Sequence, residues 1–138
     1  MINKIGVLTS GGDAPGMNAA IRGVTRYAIQ KGLTVEGIIR GYEGLLSHET
    51  RPLGRRDVGA IIHRGGTMLR TARCLEFKEK ETQKKAAAYL RELEIDALVV
   101  VGGDGSMRGA QALSRWGIPT ITIPGTIDND MMGTQYTL

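Results

Sequence analysis

Ala97-Leu98-Val99-Val100-Val101-Gly102-Gly103-Asp104-Gly105-Ser106 is the stretch on which the fold turns. The unbroken apolar run reads as a strand buried on both faces, as in the middle of a parallel sheet. It opens into glycines, a carboxylate and a hydroxyl. Glycines let backbone N–H groups approach phosphate oxygens, and a carboxylate at a strand end can hold a hard cation such as Mg²⁺ together with phosphate. Asp104 is the candidate for that cation, with helix capping as its alternative role, and Ser106 is placed to cap the helix that follows, to about Trp116.

Working outward, the same alternation recurs. Ile5 to Leu8 forms a first strand, and Thr9-Ser10-Gly11-Gly12-Asp13-Ala14-Pro15-Gly16 a glycine-rich turn. A helix follows over Met17–Gln30, with Met17, Ala20, Ile21, Val24 and Ala28 at helical spacing and Gly32 at its stop. Thr34 to Ile39 reads as a second strand and Gly41 to Pro52 as irregular. Asp57 caps a short helix through Ile62, and Arg64-Gly65-Gly66-Thr67 is a turn. A helix spans roughly Lys78 to Glu94, with Ala86, Leu90 and Leu93 inward and the Glu81/Lys85 pair on a solvated face. Thr120 to Ile123 is the last strand. Strands alternating with helices give an α/β fold with a mostly parallel sheet, whose ligands bind beyond the carboxyl ends of the strands.

The loop at Pro124-Gly125-Thr126-Ile127-Asp128-Asn129-Asp130 carries the remaining chemistry. A carboxylate within reach of a hydroxyl can take its proton, and a neighbouring hydroxyl can orient a transferred phosphoryl group. Thr126, Asp128 and Asp130 are therefore the catalytic candidates. Asp130 points as Asp128 does if the backbone is extended, and turn chemistry beside Pro and Gly is the structural alternative. Gly11 and Gly12 could seat terminal phosphates or simply make a strand-to-helix turn. Arg22 and Arg26 share a helix face and, with Arg55 and Arg56, could grip a phosphate or remain solvated.

Composition narrows the field. The chain has 138 residues, enough for one domain with a proper core. Glycine, at 20 residues, is about twice average usage and gathers at the ends of apolar runs. The net charge of +4 suits an anionic ligand. Aromatics are only 4% and the basic residues form no single run, which argues against nucleic acid. No apolar stretch nears the ~20 residues of a membrane span, and the start shows no signal-peptide pattern. The lone Cys74 fits a reducing cytosol, so a cytoplasmic location is expected. Neither Gly-x-Gly-x-x-Gly nor a Walker A pattern is present, which argues against a dehydrogenase or P-loop NTPase. His48 and His63 have no ligand-like spacing.

These loops, in this order, resemble bacterial ATP-dependent 6-phosphofructokinase over essentially the whole chain. The resemblance rests on Ile5 to Asp13, Arg64-Gly65-Gly66-Thr67, Thr71-Ala72-Arg73-Cys74, Gly102 to Ser106 and Pro124 to Asp130. The Gly-Gly-Asp-Gly element alone is shared with lipid and NAD kinases, and the Pro124 to Asp130 run argues against both. The resemblance implies a Rossmann-like three-layer α/β/α arrangement and transfer of the ATP γ-phosphoryl group to the 1-hydroxyl of fructose 6-phosphate. It implies Asp128 as base, with Thr126, Ile127 and Asp128 at the substrate, and Mg²⁺ on Asp104. Gly12, Arg73, Cys74, Gly103, Asp104, Gly105 and Ser106 would line the ATP site. Arg22, Gly23, Val24, Thr25 and Arg26, with Arg55, Arg56, Asp57, Val58, Gly59 and Ala60, would belong to an ADP effector site at a subunit interface of a homotetramer.

Pyrophosphate-using relatives place Asp where Gly105 stands and Lys where Gly125 stands, so ATP is the expected donor. Leu75 in place of a frequent Pro, Met131-Met132 and Gln135 in place of Asp depart from the pattern. Family chains are more than twice as long. The chain is thus expected to be an incomplete large domain, residues 1–138, without the second, sugar-phosphate domain. Alone it is expected to be inactive, a nucleotide-binding or oligomerisation segment of a glycolytic enzyme.

Overall fold

Side chains of a strand point alternately to opposite faces, so a fully apolar strand needs cover on both. The computed structural model, which describes residues 1–12, 16–61 and 65–125, supplies that cover with helices on each side. Its elements run β1 (Lys4–Thr9), α1 (Met17–Gln30), β2 (Thr34–Ile38), α2 (Gly41–Ser47), β3 (Thr50–Leu53), a 3-10 turn (Leu75–Lys78), α3 (Lys80–Glu92), β4 (Ala97–Gly102), α4 (Asp104–Arg115) and β5 (Thr120–Pro124). Expectations placed on Asp13, His63, Arg64 and residues 126–138, including Thr126, Ile127, Asp128, Asp130 and Gln135, lie outside the described residues.

The five strands lie in the order β3-β2-β1-β4-β5. β1 pairs in parallel with β2 and β4, and β5 in parallel with β4; only β3 is antiparallel, against β2. The α/β, mostly parallel sheet is therefore as the sequence indicated. Along β4, Leu98 and Val100 pack on one side with Leu8, Leu90 of α3 and Leu113 of α4. Ala97 and Val99 pack on the other with Ile5, Val7 and Ile21 of α1. Helix α1 buries Met17, Asn18, Ile21, Thr25 and Ala28, close to the expected stripe. It ends where the Leu33 N–H reaches back to the Ala28 carbonyl at 2.9 Å, with Gly32 at a φ of 83°.

Four expectations are corrected. Gly41 to Pro52 is not irregular but forms α2 and the edge strand β3. The chain leaves β2 through two left-handed residues, Arg40 and Gly41, at φ 62° and 60°. A Cβ on Gly41 would stand 2.9 Å from the Thr9 carbonyl oxygen, so this sharp entry demands glycine. Asp57 caps no helix within the described residues; its carboxylate accepts the Gly54 N–H at 2.7 Å and pairs with Arg51 at 2.6 Å, closing a turn instead. Helix α3 starts at Lys80 and ends at Glu92, two residues inside the expected span at each end, because Leu75–Lys78 winds as a separate 3-10 turn. Ser106 does not cap α4: the helix begins at Asp104 after Gly103, with no side-chain cap, and Ser106 is buried inside it.

Candidate functional site

Because β1 sits between β2 and β4, the chain leaves it towards one neighbour while the other arrives much later in the sequence. The loops after β1 and β4 diverge at this point and leave a crevice between them. The two loops touch there. The Ser10 N–H donates to the Val101 carbonyl at 2.9 Å. A Cβ on Gly102 would meet Ser106 Oγ at 2.3 Å and the Ser10 carbonyl at 2.6 Å, so no other residue fits. Gly11 lies against Ser106 and Gly103. Gly125 donates its N–H to the Gly102 carbonyl at 2.8 Å, so the described part of the chain ends beside the same loop.

A third segment is tied to the end of β1. Thr9, fully buried, shares a hydrogen bond with the Thr67 hydroxyl at 2.9 Å and bonds to the Arg70 carbonyl at 3.1 Å. Asn18 at the start of α1 accepts the Met68 N–H at 2.6 Å. These bonds deliver residues 72–74 to the crevice. A cleft of about 450 Å³ opens there, lined by Ser10, Gly11, Arg73, Cys74 and Gly105. Of the residues expected at a nucleotide, Arg73, Cys74 and Gly105 are thus brought together, with Gly103 and the buried Ser106 beneath them.

Asp104 and Gly12 are placed differently. Asp104 is exposed in the first turn of α4 and lines a neighbouring groove of about 510 Å³ with Met107, Thr120 and Thr122. Arg108 lines both this groove and the cleft. Gly12 is exposed beside the cleft rather than in its wall. Among the described residues no three His, Cys, Asp or Glu side chains come together. A lone Asp104 is still compatible with Mg²⁺, which often takes one carboxylate and completes its shell with water and phosphate oxygens.

The apolar wall was not anticipated. Tyr42 of α2 and Phe77 of the 3-10 turn stack with centroids 4.3 Å apart at 20°, and both line the cleft. The Tyr42 hydroxyl donates to the Ser106 carbonyl at 2.6 Å, and its ring lies so close to Gly109 that a Cβ there would fall 2.6 Å from it. Burial raises the Tyr42 hydroxyl above its ordinary range. Burial, with Glu43 alongside, pushes the Cys74 thiol up to about 11. The cleft therefore combines glycines, cations and two aromatic rings in its lining, a set of groups that suits a phosphorylated aromatic ligand.

The expected effector residues also converge. Arg22 Nη1 donates to the Gly59 carbonyl at 2.9 Å, joining α1 to the 54–61 segment. Gly23, Arg26, Arg55, Arg56 and Ala60 are exposed there, whereas Thr25 and Val58 are buried and face the core.

A phosphofructokinase family model matches residues 4–138. The chain belongs to the phosphofructokinase family. It is 62% identical over 138 residues to the ATP-dependent 6-phosphofructokinase of Caldanaerobacter subterraneus subsp. tengcongensis. It is 58% identical over 137 residues to ATP-dependent 6-phosphofructokinase 1 of Clostridium perfringens. In both cases 99% of this chain is covered, and the chain spans 43% of the relative's length. Among solved structures, the Pichia pastoris phosphofructokinase in the T-state superposes with a TM-score of 0.94 at 39% identity, covering 99% of this chain and 18% of that one. The pyrophosphate-dependent phosphofructokinase of Marinobacter aquaeolei shares the fold, with a TM-score of 0.77 at 24% identity, over 96% of this chain and 36% of that one.

Proposed function

We propose that this chain is the nucleotide-binding segment of an ATP-dependent 6-phosphofructokinase, which moves the γ-phosphoryl group of ATP to the 1-hydroxyl of fructose 6-phosphate. The observation that carries the proposal is the junction of the Ser10–Gly11 and Gly102–Ser106 loops beside a cleft walled by Tyr42, Phe77, Arg73 and Cys74. In this reading the base and ribose lie along the ring wall, and the phosphates run to the glycine junction. Asp104 would hold Mg²⁺, which offsets charge on the phosphates when bound. Asp128 takes the proton from the sugar hydroxyl as its oxygen attacks the γ-phosphorus, ADP departs, and Thr126 and Ile127 help to hold the phosphoryl group and the sugar.

ATP is favoured over pyrophosphate by Gly105 and Gly125. A Cβ on Gly105 meets only Arg108 Nη2, at 3.8 Å, so the position opens into the cleft and a side chain there would occupy ligand space. Gly125 is buried against Val101 and Met17, with no room for a long side chain without rearrangement. ADP acts as effector at the Arg22 to Arg26 and Arg55 to Ala60 cluster, in a homotetramer located in the cytoplasm.

In this reading the nucleotide half of the site is built from residues of this chain, and the arginines for a sugar 6-phosphate come from the part of the relatives' length that these 138 residues do not span. Correct positioning is worth ~7–11 kcal/mol of barrier, so the 138-residue chain should bind nucleotide without turnover. The test is coupled ADP formation from Mg-ATP and fructose 6-phosphate by this chain and by one extended to the relatives' length, with and without Asp128→Asn. Activity in the extended chain alone, abolished by Asp128→Asn, is the expected result. Phosphorylation of NAD or a lipid with fructose 6-phosphate inert would overturn it.

A further inference from the structure

A second cleft, of about 500 Å³, adjoins the first and is lined by Lys78, Lys80, Gln83, Arg115 and Trp116. Its wall holds three cations, an amide and an indole, and no carboxylate. Among the described residues none of the three cations lies within ion-pair distance of an acidic group. Cations gathered in this way leave a positive potential that an anion would relieve.

The indole is held in place. Trp116 Nε1 donates to Gln83 Oε1 at 3.3 Å, and Gln83 Nε2 donates to the Phe77 carbonyl at 3.0 Å. The Arg91 guanidinium donates to the Trp116 carbonyl. Gln83 thus ties the tryptophan to the 3-10 turn that carries Phe77. Helix α3 starts beside this cleft at Lys80, and no side chain caps its first N–H groups. Lys78, Gln83 and Arg115 line both clefts, so the two meet around these side chains.

We propose that the Lys78, Lys80, Arg115 and Trp116 cleft is a second anion site, which takes a multiply charged phosphorylated ligand. Its phosphates lie on the three cations, and any flat or apolar part lies against Trp116. The site does not require the kinase reading. Its coupling to the neighbouring nucleotide does rest on that reading: with Lys78 and Arg115 shared, two polyanions repel, and each weakens the other by the same factor. The ligand is either a second nucleotide molecule or another phosphorylated small molecule, since both bring the same chemistry.

The test uses inorganic tripolyphosphate, which carries the charge without a base or a sugar. Trp116 is the sole tryptophan, so its emission reports on this cleft. At ionic strength held constant with sodium chloride, a saturable change in emission is expected. Lys80→Ala should weaken it about tenfold, the ~1.4 kcal/mol scale of one charge-assisted contact. Arg73→Ala, which touches only the nucleotide cleft, should leave it in place. Lys80 is exposed, so its replacement leaves the core intact, and far-ultraviolet circular dichroism verifies that both variants are folded. A response no larger than that to chloride would overturn the proposal. So would one abolished by Arg73→Ala and indifferent to Lys80→Ala, which would place the polyphosphate in the nucleotide cleft. An ATP titration then separates the two sources. A second phase lost with Lys80→Ala identifies a nucleotide, and a single phase beside a saturable tripolyphosphate response identifies another phosphorylated molecule.

Discussion

At Gly105 the protein tolerates a side chain better than its ligand would. The open space around its Cβ position means that Gly105→Asp should leave the melting temperature nearly unchanged while lowering affinity for ATP; a thermal scan measures the first and isothermal titration of the folded variant the second. Cys74 gives a second prediction at this scale. The thiolate is the reactive form, and burial keeps the thiol protonated up to about 11 against an ordinary 9.0. Alkylation by iodoacetamide should therefore be slow at neutral pH, climb as the pH approaches 11, and be further slowed by ATP in the cleft. The linkage has the matching sign: this group leaves stability untouched below pH 9 and withdraws it as the pH rises from about 9 towards 11. Gly105 was legible in the sequence because it lies in a glycine-rich strand end, whereas Arg73 and Cys74 entered only through the family resemblance of Thr71 to Cys74. Tyr42, Phe77 and Gly109 were not legible, since a ring in a wall leaves no local mark; its role depends on which helix passes over it.

Helix α4 shows how packing overrides propensity. Replacing a helical glycine by alanine ordinarily stabilises by ~1 kcal/mol. At Gly109 the added Cβ would fall 2.6 Å from the Tyr42 ring, and overpacking of this kind costs ~1–3 kcal/mol. Gly109→Ala should therefore lower stability in a denaturant titration and, by displacing Tyr42, weaken nucleotide binding as well. Gly23 in α1, with nothing near its Cβ position, provides the contrast: Gly23→Ala should raise stability by several tenths of a kcal/mol. Elements with a clear period were readable in advance. The stripe on α1 and the apolar run of β4 specify both their type and what they pack against. Helix α2 and strand β3 were not readable, because seven- and four-residue elements carry little periodicity. Their ends depend on left-handed residues such as Arg40 and His48 that any sequence rule would assign to a loop.

Among the described residues the sheet has one unguarded edge. β3 ends the sheet with Pro52, which cannot donate to a further strand, whereas β5 ends it with Thr120 to Ile123, and Ile121 is 62% exposed. An uncharged edge of this kind invites pairing, so the chain should associate with rising concentration, and Ile121→Lys should return it towards the monomer in sedimentation or light scattering. The order of the strands has a consequence in time. β1 and α1 can dock on β2 soon after collapse, because α1 alone lies between the two strands in the chain. The junction of β1 with β4 is another matter: Asp96, at the foot of β4, bonds to the backbone of Asn3, 93 residues away. Closing so long a loop should be the slow step in a topology of this kind, and the Ser10–Gly11 and Gly102–Ser106 loops meet only when it is complete. The candidate nucleotide site should thus be the last part of the molecule to come into being. A refolding chain should remain blind to nucleotide through its early phases, and capture of a fluorescent ATP analogue would date the moment at which folding ends.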